Sequence, residues 1–253
     1  MRKQLIYDLP IRLFHTIFTL LFVVAFAIAF TVSHRSPLFP LHMLAGMTLS
    51  FVVLLRIGWG VIGTRHSRFS DFPLKPSQLI QYLRGVLIGD KHKWDGHNPA
   101  SSWAAIAMMV LALSLGVTGY LMTSGSKTEL IEEIHEYLAY GFLATAIMHI
   151  AGVALHTWRH RDNIGLSMID GYKMGVSPEA TIPSSRKVSG IIFLIVFTAF
   201  VSSLVMGFDP ETRKLDAYGF SLTLGKKKKS AGNSSPQKNL QKSHQRARLA
   251  SQP

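Results

Sequence analysis

The chain has 253 residues, of which 48% are hydrophobic and only 16% charged, against about 25% charged residues in an average soluble domain. It contains no cysteine, which excludes disulfides, iron–sulfur clusters, thiolate-bound haem and the CxxCH attachment of c-type haem. The net charge of +13 could suggest a nucleic-acid-binding protein, but residues 208–253 alone hold ten Lys and Arg against three Asp and Glu. The other basic residues lie in short segments between apolar runs, as in membrane proteins. The composition therefore favours an integral membrane protein without a nucleic-acid partner.

Five runs lack Asp, Glu, Lys and Arg and reach the length of about 20 residues that a membrane-spanning helix needs. In chain order they cover residues 13–33, 36–55, 98–126, 137–158 and 188–208. The runs show no alternation with a period of two residues, so helices are predicted rather than the strands of a membrane barrel. We therefore expect five transmembrane helices.

The first run has an alternative interpretation as a signal peptide. A basic start precedes it, and residues 27–29 (Ala-Ile-Ala) match a small-x-small cleavage pattern. Asp8, Pro10 and the length of the run argue for a retained helix instead. Cleavage would remove His15 from the mature protein.

The loop charges predict the orientation. The segments on the N-terminal side of the membrane carry 15 Lys and Arg, against two on the other side. Basic loops stay in the cytoplasm, so we expect a multi-pass protein of the bacterial inner membrane with a cytoplasmic N-terminus. Five spans then place residues 209–253 outside, although this segment includes Lys226–Lys229 and is itself basic. Its Ser, Asn, Gln and Lys content predicts a disordered tail.

Four histidines are surrounded by apolar sequence, namely His15, His42, His135 and His149. An ionisable side chain within a spanning helix is costly and generally marks a functional site, although each of these could instead reach water from a helix end. His135 and His149 are 14 residues apart, so on one helix they face nearly the same direction and stand about 21 Å apart along its axis.

The predicted topology pairs these histidines by depth. His15 and His149 fall in the inner half of the membrane, and His42 and His135 in the outer half. Two imidazoles fill both axial positions of a haem iron, an arrangement suited to electron transfer rather than oxygen chemistry. Bundles build such sites from inward side chains of facing helices. His156 is a competing inner ligand, since it follows His149 by seven residues on nearly the same face.

Six segments in order resemble a known family. They are YDLPIRLFH at the start, LHMLAG, RIGWGVIGTRHSRFSDF, GHNP, LIEEIHEYLA and MHIAGV. Over roughly residues 5–175 the chain is similar to the cytochrome b561-like group, which includes the b-type cytochrome subunits of nickel–iron hydrogenases and related bacterial proteins.

The resemblance implies an all-α membrane fold: a four-helix bundle over residues 1–175 that holds two haems b. The family's ligand positions carry over to His15, His42, His135 and His149. Residues 176–208, a linker with a fifth transmembrane helix, and the basic tail 209–253 lie outside the resemblance. Arg56, at the inner end of the second helix, is a candidate to bind a haem carboxylate or a quinone. It could equally be an anchor whose charge reaches the headgroups.

These observations predict one-electron transfer across the membrane, between the quinone pool and a periplasmic redox partner such as a hydrogenase or a cytochrome c. The membrane lipid is the other expected partner, and the oligomeric state is not predicted. The alternative from another class is a haem-free helical transporter or assembly factor. It explains the five spans and the basic tail, but not four histidines at matched depths.

Overall fold

The computed structural model describes residues 3–89, 92, 94–126, 128–161 and 164–225. The α-helices of this part of the chain are α1 (Leu9–Thr31), α2 (Pro40–Ile62), α3 (Pro76–Ile88), α4 (Pro99–Thr123), α5 (Glu129–His160), α6 (Ser167–Asp170) and α7 (Lys187–Gly207). All except α3 and α6 are long and apolar enough to cross a membrane. The five predicted transmembrane helices are therefore confirmed.

The beginnings of three spans follow from capping residues. The Asp8 carboxylate accepts a hydrogen bond from the backbone N–H of Ile11 and begins α1. Asn98 caps α4 in the same way, and Thr128 caps α5. The first backbone N–H groups of a helix have no acceptor within the helix, and these side chains supply one. Proline in the first turn of α1, α2 and α4 also favours the start of a helix there, because proline has no N–H that would be left unpaired.

Helices α1, α2, α4 and α5 form the predicted four-helix bundle. Helix α2 packs against α1 and α4, and α4 packs against α5. Phe142 of α5 closes the bundle onto α1, with its ring centroid 5.7 Å from that of Phe18 and 4.6 Å from that of Phe22. Leu49, Val53, Met109 and Ala112 complete this core. Helix α7 lies outside the bundle against α1 and α2.

Two short strands tie together the end of the bundle at which α1 begins, which is called here the inner end, and the opposite end is called the outer end. Strand β1 (Lys3–Leu5) pairs antiparallel with β2 (Tyr172–Met174). The segment after β2 then runs past the loop that follows α2, where Arg65 and His66 donate to the carbonyls of Glu179 and Ala180. The connection between the bundle and α7 is therefore anchored at the inner end rather than free.

A second small sheet lies at the outer end. Strands β3 (Phe208–Asp209), β4 (Lys214–Ala217) and β5 (Phe220–Thr223) form an antiparallel sheet, called here the outer sheet. The prediction of a disordered segment from residue 209 is wrong for residues 209–225. Leu215, Leu222 and Leu224 are buried with Leu204, and this apolar contact orders a segment whose composition alone suggested disorder. Residues 226–253, including Lys226–Lys229, lie outside the described residues.

The outer sheet also settles the path of α7. Its apolar residues pack on Met43, Leu44 and Met47 near the start of α2. At the other end of α7, the carbonyl of Ser185 accepts a hydrogen bond from the backbone N–H of Leu9. The two ends of α7 therefore lie at opposite ends of the bundle, as a fifth span requires.

Candidate functional site

His42 and His135 face each other near the outer end of the bundle. His42 lies in the first turn of α2, and His135 lies in the second turn of α5. Their ring centroids are 6.4 Å apart and the ring planes are inclined by 75°. Both side chains are half-buried. The structure thus brings together two histidines from distant parts of the chain.

The hydrogen bonds of these rings define which nitrogen is free. His42 Nδ1 lies 2.9 Å from the carbonyl oxygen of Ala25, which can only accept, so Nδ1 carries the proton. His135 Nδ1 lies 2.7 Å from Thr118 Oγ1. The Thr118 hydroxyl donates to the carbonyl of Ser114 at 3.0 Å, so it accepts from His135. In both rings this assignment leaves the Nε2 lone pair available to a metal.

The separation of the two rings fits one metal ion between them. A metal–imidazole bond of about 2.0–2.1 Å on each side places the two ring centroids about 6–6.5 Å apart. Among the described residues, no group of three or more His, Cys, Asp and Glu side chains could hold a metal ion. A metal held between His42 and His135 would fit a group that brings further ligands of its own, as a porphyrin does.

His15 and His149 occupy the inner half of the same bundle. His15 lies on α1 and His149 on α5, and both are half-buried. They are close enough for their charges to interact. The helices that carry them are in contact through Phe18 and Phe142. The predicted inner pair therefore lies on two helices that pack against each other.

Arg56 lies inside the protein at the inner end of α2. Arg56 is only 2% exposed. Its guanidinium carbon lies 4.7 Å from the ring centroid of Phe69, 5.8 Å from that of Phe72 and 5.9 Å from that of Phe14. Its Nη1 atom is buried without a hydrogen-bond acceptor. The interpretation of Arg56 as an anchor that reaches the headgroups is therefore wrong.

Comparison with known proteins decides the family. The sequence model described as prokaryotic cytochrome b561 matches residues 6–171. The chain belongs to the prokaryotic cytochrome b561 family. This cytochrome is also similar to two curated relatives, each described as a probable Ni/Fe-hydrogenase 1 B-type cytochrome subunit, from Escherichia coli K12 and from Escherichia coli O157:H7. Each is 25% identical over 144 residues, which cover 53% of this chain and 58% of the relative. No solved structure matches the cytochrome.

Two glycines that follow histidines in the helices have open space beside them. A Cβ added to Gly46, one turn after His42, would meet nothing within 4 Å, and the same holds for Gly152, which follows His149 by three residues. The b-type haem of the family requires such open space against a helix.

Asp8 is a residue of the inner site that sequence reasoning recognised only as a charge. It is fully buried, and its carboxylate accepts hydrogen bonds from Trp59 Nε1 at 3.1 Å, Ser67 Oγ at 2.9 Å and the Thr64 hydroxyl. Because it also caps α1, it joins the start of the helix that carries His15 to the end of α2. Only the N-cap position could have been read from the sequence.

His97 is the second residue whose role was missed. His97 directly precedes Asn98, the residue that caps α4. The His97 ring lies 5.4 Å from that of Tyr7 and 4.7 Å from that of Phe72, and its Nδ1 atom is buried without a hydrogen-bond partner. Burial is the main cause that lowers its pKa to about 3, and the nearby charges of Arg56 and Lys173 add to this.

The competing histidine His156 lies at the inner end of α5. Its ring stacks on that of His160, with 4.3 Å between the centroids and 22° between the planes. His149 is one of the charges that act on His97, beside Arg56. His149 thus belongs to the inner site around Arg56, whereas His156 pairs with the end of its own helix.

Proposed function

We propose that this cytochrome carries electrons one at a time across the bacterial inner membrane through two haems b. His42 and His135 bind the outer haem, and His15 and His149 bind the inner one. The observation that carries this proposal is the outer pair, with its ring spacing of 6.4 Å and both Nδ1 atoms engaged. Haem iron held by two imidazoles accepts and releases single electrons without an open site for substrate.

The protein residues fix where and in which state the ligands act. The carbonyl of Ala25 and the hydroxyl of Thr118 hold the outer imidazoles as Nδ1–H tautomers, and such partners also raise the basicity of the ligand. Arg56 binds a carboxylate of the inner haem. The apolar core between the two levels keeps water away from both sites.

The exchange partners follow from the topology and the relatives. The N-terminus lies in the cytoplasm, as the loop charges favour, so the outer pair faces the periplasm. We propose that membrane quinone exchanges electrons with the inner site and that a periplasmic redox protein does so with the outer site. The curated relatives are described as hydrogenase cytochrome subunits, which supports a hydrogenase as that protein. A cytochrome c is the other candidate.

Haem content and optical spectra test the ligands. The purified wild type is expected to hold two haems b per chain, and His135→Ala and His149→Ala are expected to retain at most one. His156→Ala is the matched control on the same helix and is expected to keep both. Loss of the inner haem in His156→Ala but not in His149→Ala would overturn the ligand assignment. A colourless wild type would favour a haem-free transporter or assembly factor.

The quinone step has a separate test. In proteoliposomes, a short-chain ubiquinol is expected to reduce the haems of the wild type and to do so more slowly in His149→Ala. If a chemical reductant reduces both haems but the quinol reduces neither, quinone is not the membrane partner.

A further inference from the structure

The inner site contains a buried positive charge with an unfilled hydrogen bond. Arg56 is 2% exposed, its guanidinium is surrounded by the rings of Phe14, Phe69 and Phe72, and Nη1 has no acceptor. A buried donor without a partner is destabilising, and more so when it is charged. None of the described residues fills this hydrogen bond, so an acceptor from outside them would complete the site.

The acids near this site are already engaged. Asp8 interacts with the Arg56 charge, but its carboxylate accepts from Trp59, Thr64, Ser67 and the backbone of α1. The carboxylate of Asp71 pairs with Arg68 at 3.1 Å. The carboxylate of Asp95 accepts from the backbone and the hydroxyl of Ser177. These three carboxylates are thus held by other donors.

A second unfilled nitrogen belongs to a residue that borders the same aromatic ring as Arg56. The Arg56 guanidinium carbon lies 5.8 Å from the centroid of the Phe72 ring, and the His97 ring centroid lies 4.7 Å from it. Both residues therefore flank the same aromatic side chain. His97 Nδ1, like Arg56 Nη1, is buried without a partner. The charges of Arg56 and of the proposed ligand His149 both act on His97. The two unfilled nitrogens therefore border the inner haem site.

The surroundings favour an anion over a neutral ligand. Lys173 is 7% exposed, and its ammonium donates to the carbonyls of Trp94, Asp95 and Gly96. Its charge therefore persists close to His97. Carboxylates accept several hydrogen bonds and pair with guanidinium groups in a defined geometry, whereas a quinone carbonyl would leave the Arg56 charge uncompensated.

We infer that Arg56 Nη1 and His97 Nδ1 together bind one carboxylate group, a propionate of the inner haem. This inference rests on the proposed function, because it requires a haem at that level. It assigns a binding role to His97 and gives the Arg56 charge its counter-ion. A free carboxylate ion is the other source of the same chemistry.

A chemically altered haem separates these possibilities. Apo-protein from haem-deficient cells is titrated with haem b and with its dimethyl ester, in which both carboxylates are blocked. The wild type is expected to bind the ester at the inner site about 10- to 100-fold more weakly, as loss of a charge-assisted hydrogen bond predicts. The outer site of the same molecule is the internal control for general effects of the ester.

Variants then test the two residues. His97→Leu and Arg56→Gln are expected to weaken inner-site binding of haem b and to reduce its preference over the ester, whereas His97→Gln keeps a donor and is expected to retain most of it. Arg56→Gln is also expected to lower the midpoint potential of the inner haem, because removing a positive charge disfavours the added electron. Lys75→Gln removes a positive charge from an exposed residue and is the control that should change neither property.

The outcomes are distinguishable from failure of the proposed function. A wild type that binds no haem b overturns the proposed function itself. A wild type that binds haem b and its ester equally well at the inner site overturns only this inference, as does His97→Leu with an undiminished preference. If sodium acetate at 100 mM shifts the inner-haem potential while the ester binds normally, the pocket takes a free carboxylate and the propionate assignment is wrong.

Discussion

Replacing Thr118 by valine removes one atom that the outer site depends on. Thr118 is buried in α4, and its hydroxyl is the acceptor for His135 Nδ1 at 2.7 Å. Valine has nearly the same shape but cannot accept a hydrogen bond. The Thr118→Val variant therefore keeps the packing of α4 against α5 and leaves the Nδ1–H of the proposed ligand without a partner.

The size of the effect follows from that hydrogen bond. A buried donor left unpaired costs about 1–3 kcal/mol, a factor of about 5 to 150 in haem affinity. This agrees with the 10- to 100-fold losses that are typical of residues supporting a metal ligand. The Thr118 acceptor makes the proposed ligand His135 a stronger donor to ferric iron. Its loss therefore weakens binding of the oxidised haem more than binding of the reduced haem. Each tenfold difference between the losses of affinity in the oxidised and reduced states raises the midpoint potential by about 59 mV.

A redox titration followed optically, together with haem content, measures both effects. The outer haem is expected to bind more weakly and to titrate at a higher potential, while the inner haem is unchanged. Thr123→Val is the matched control, because within the part of the chain that the structure describes its hydroxyl bonds to carbonyls of its own helix, those of Gly119 and Tyr120. Equal shifts in Thr118→Val and Thr123→Val, or no shift in either, would refute the reasoning.

Two further predictions concern stability. Asp8→Asn removes the charge that accepts hydrogen bonds from the side chains at and after the end of α2. A loss of about 2–4 kcal/mol in the free energy of unfolding corresponds to a thermal midpoint lower by roughly 5–15 °C. An unchanged midpoint in detergent would contradict this prediction. Leu215→Ala in the outer sheet, where Leu215 is 1% exposed, is expected to cost about 2–5 kcal/mol of local stability and to speed cleavage of residues 208–225 by added protease. Ser221→Ala, exposed on β5, should leave cleavage unchanged, and equal rates in the two variants would count against the packing described.

The sequence was sufficient for the features that depend on local pattern. Uncharged runs of adequate length predicted all five spans. The spacing of His135 and His149 predicted that they share one helix, and the alternation of loops predicted the depth at which His42 meets His135. Each of these inferences needs only the rise of a helix and the thickness of a bilayer.

Features that depend on contacts between distant segments could not be predicted in this way. Helix α3 was missed because it mixes apolar residues with neutral polar residues and one arginine, and because it is shorter than a span. The outer sheet was missed because its strands are two to four residues long and are held by Met43, Leu44 and Met47 of α2. The burial of Arg56 depends on a loop that folds Phe69 and Phe72 over it, which no periodicity reports.

The packing of the outer sheet on α2 has a consequence for biosynthesis. The turn that carries His42 enters the membrane early in translation, but Leu215, Leu222 and Leu224, which cover its neighbours, are among the last described residues to leave the ribosome. Until then the outer end of the bundle is open. Cofactor loading at the proposed ligands His42 and His135 can therefore precede closure by the outer sheet. A chain that stops before β3 would still be expected to insert while lacking this cover.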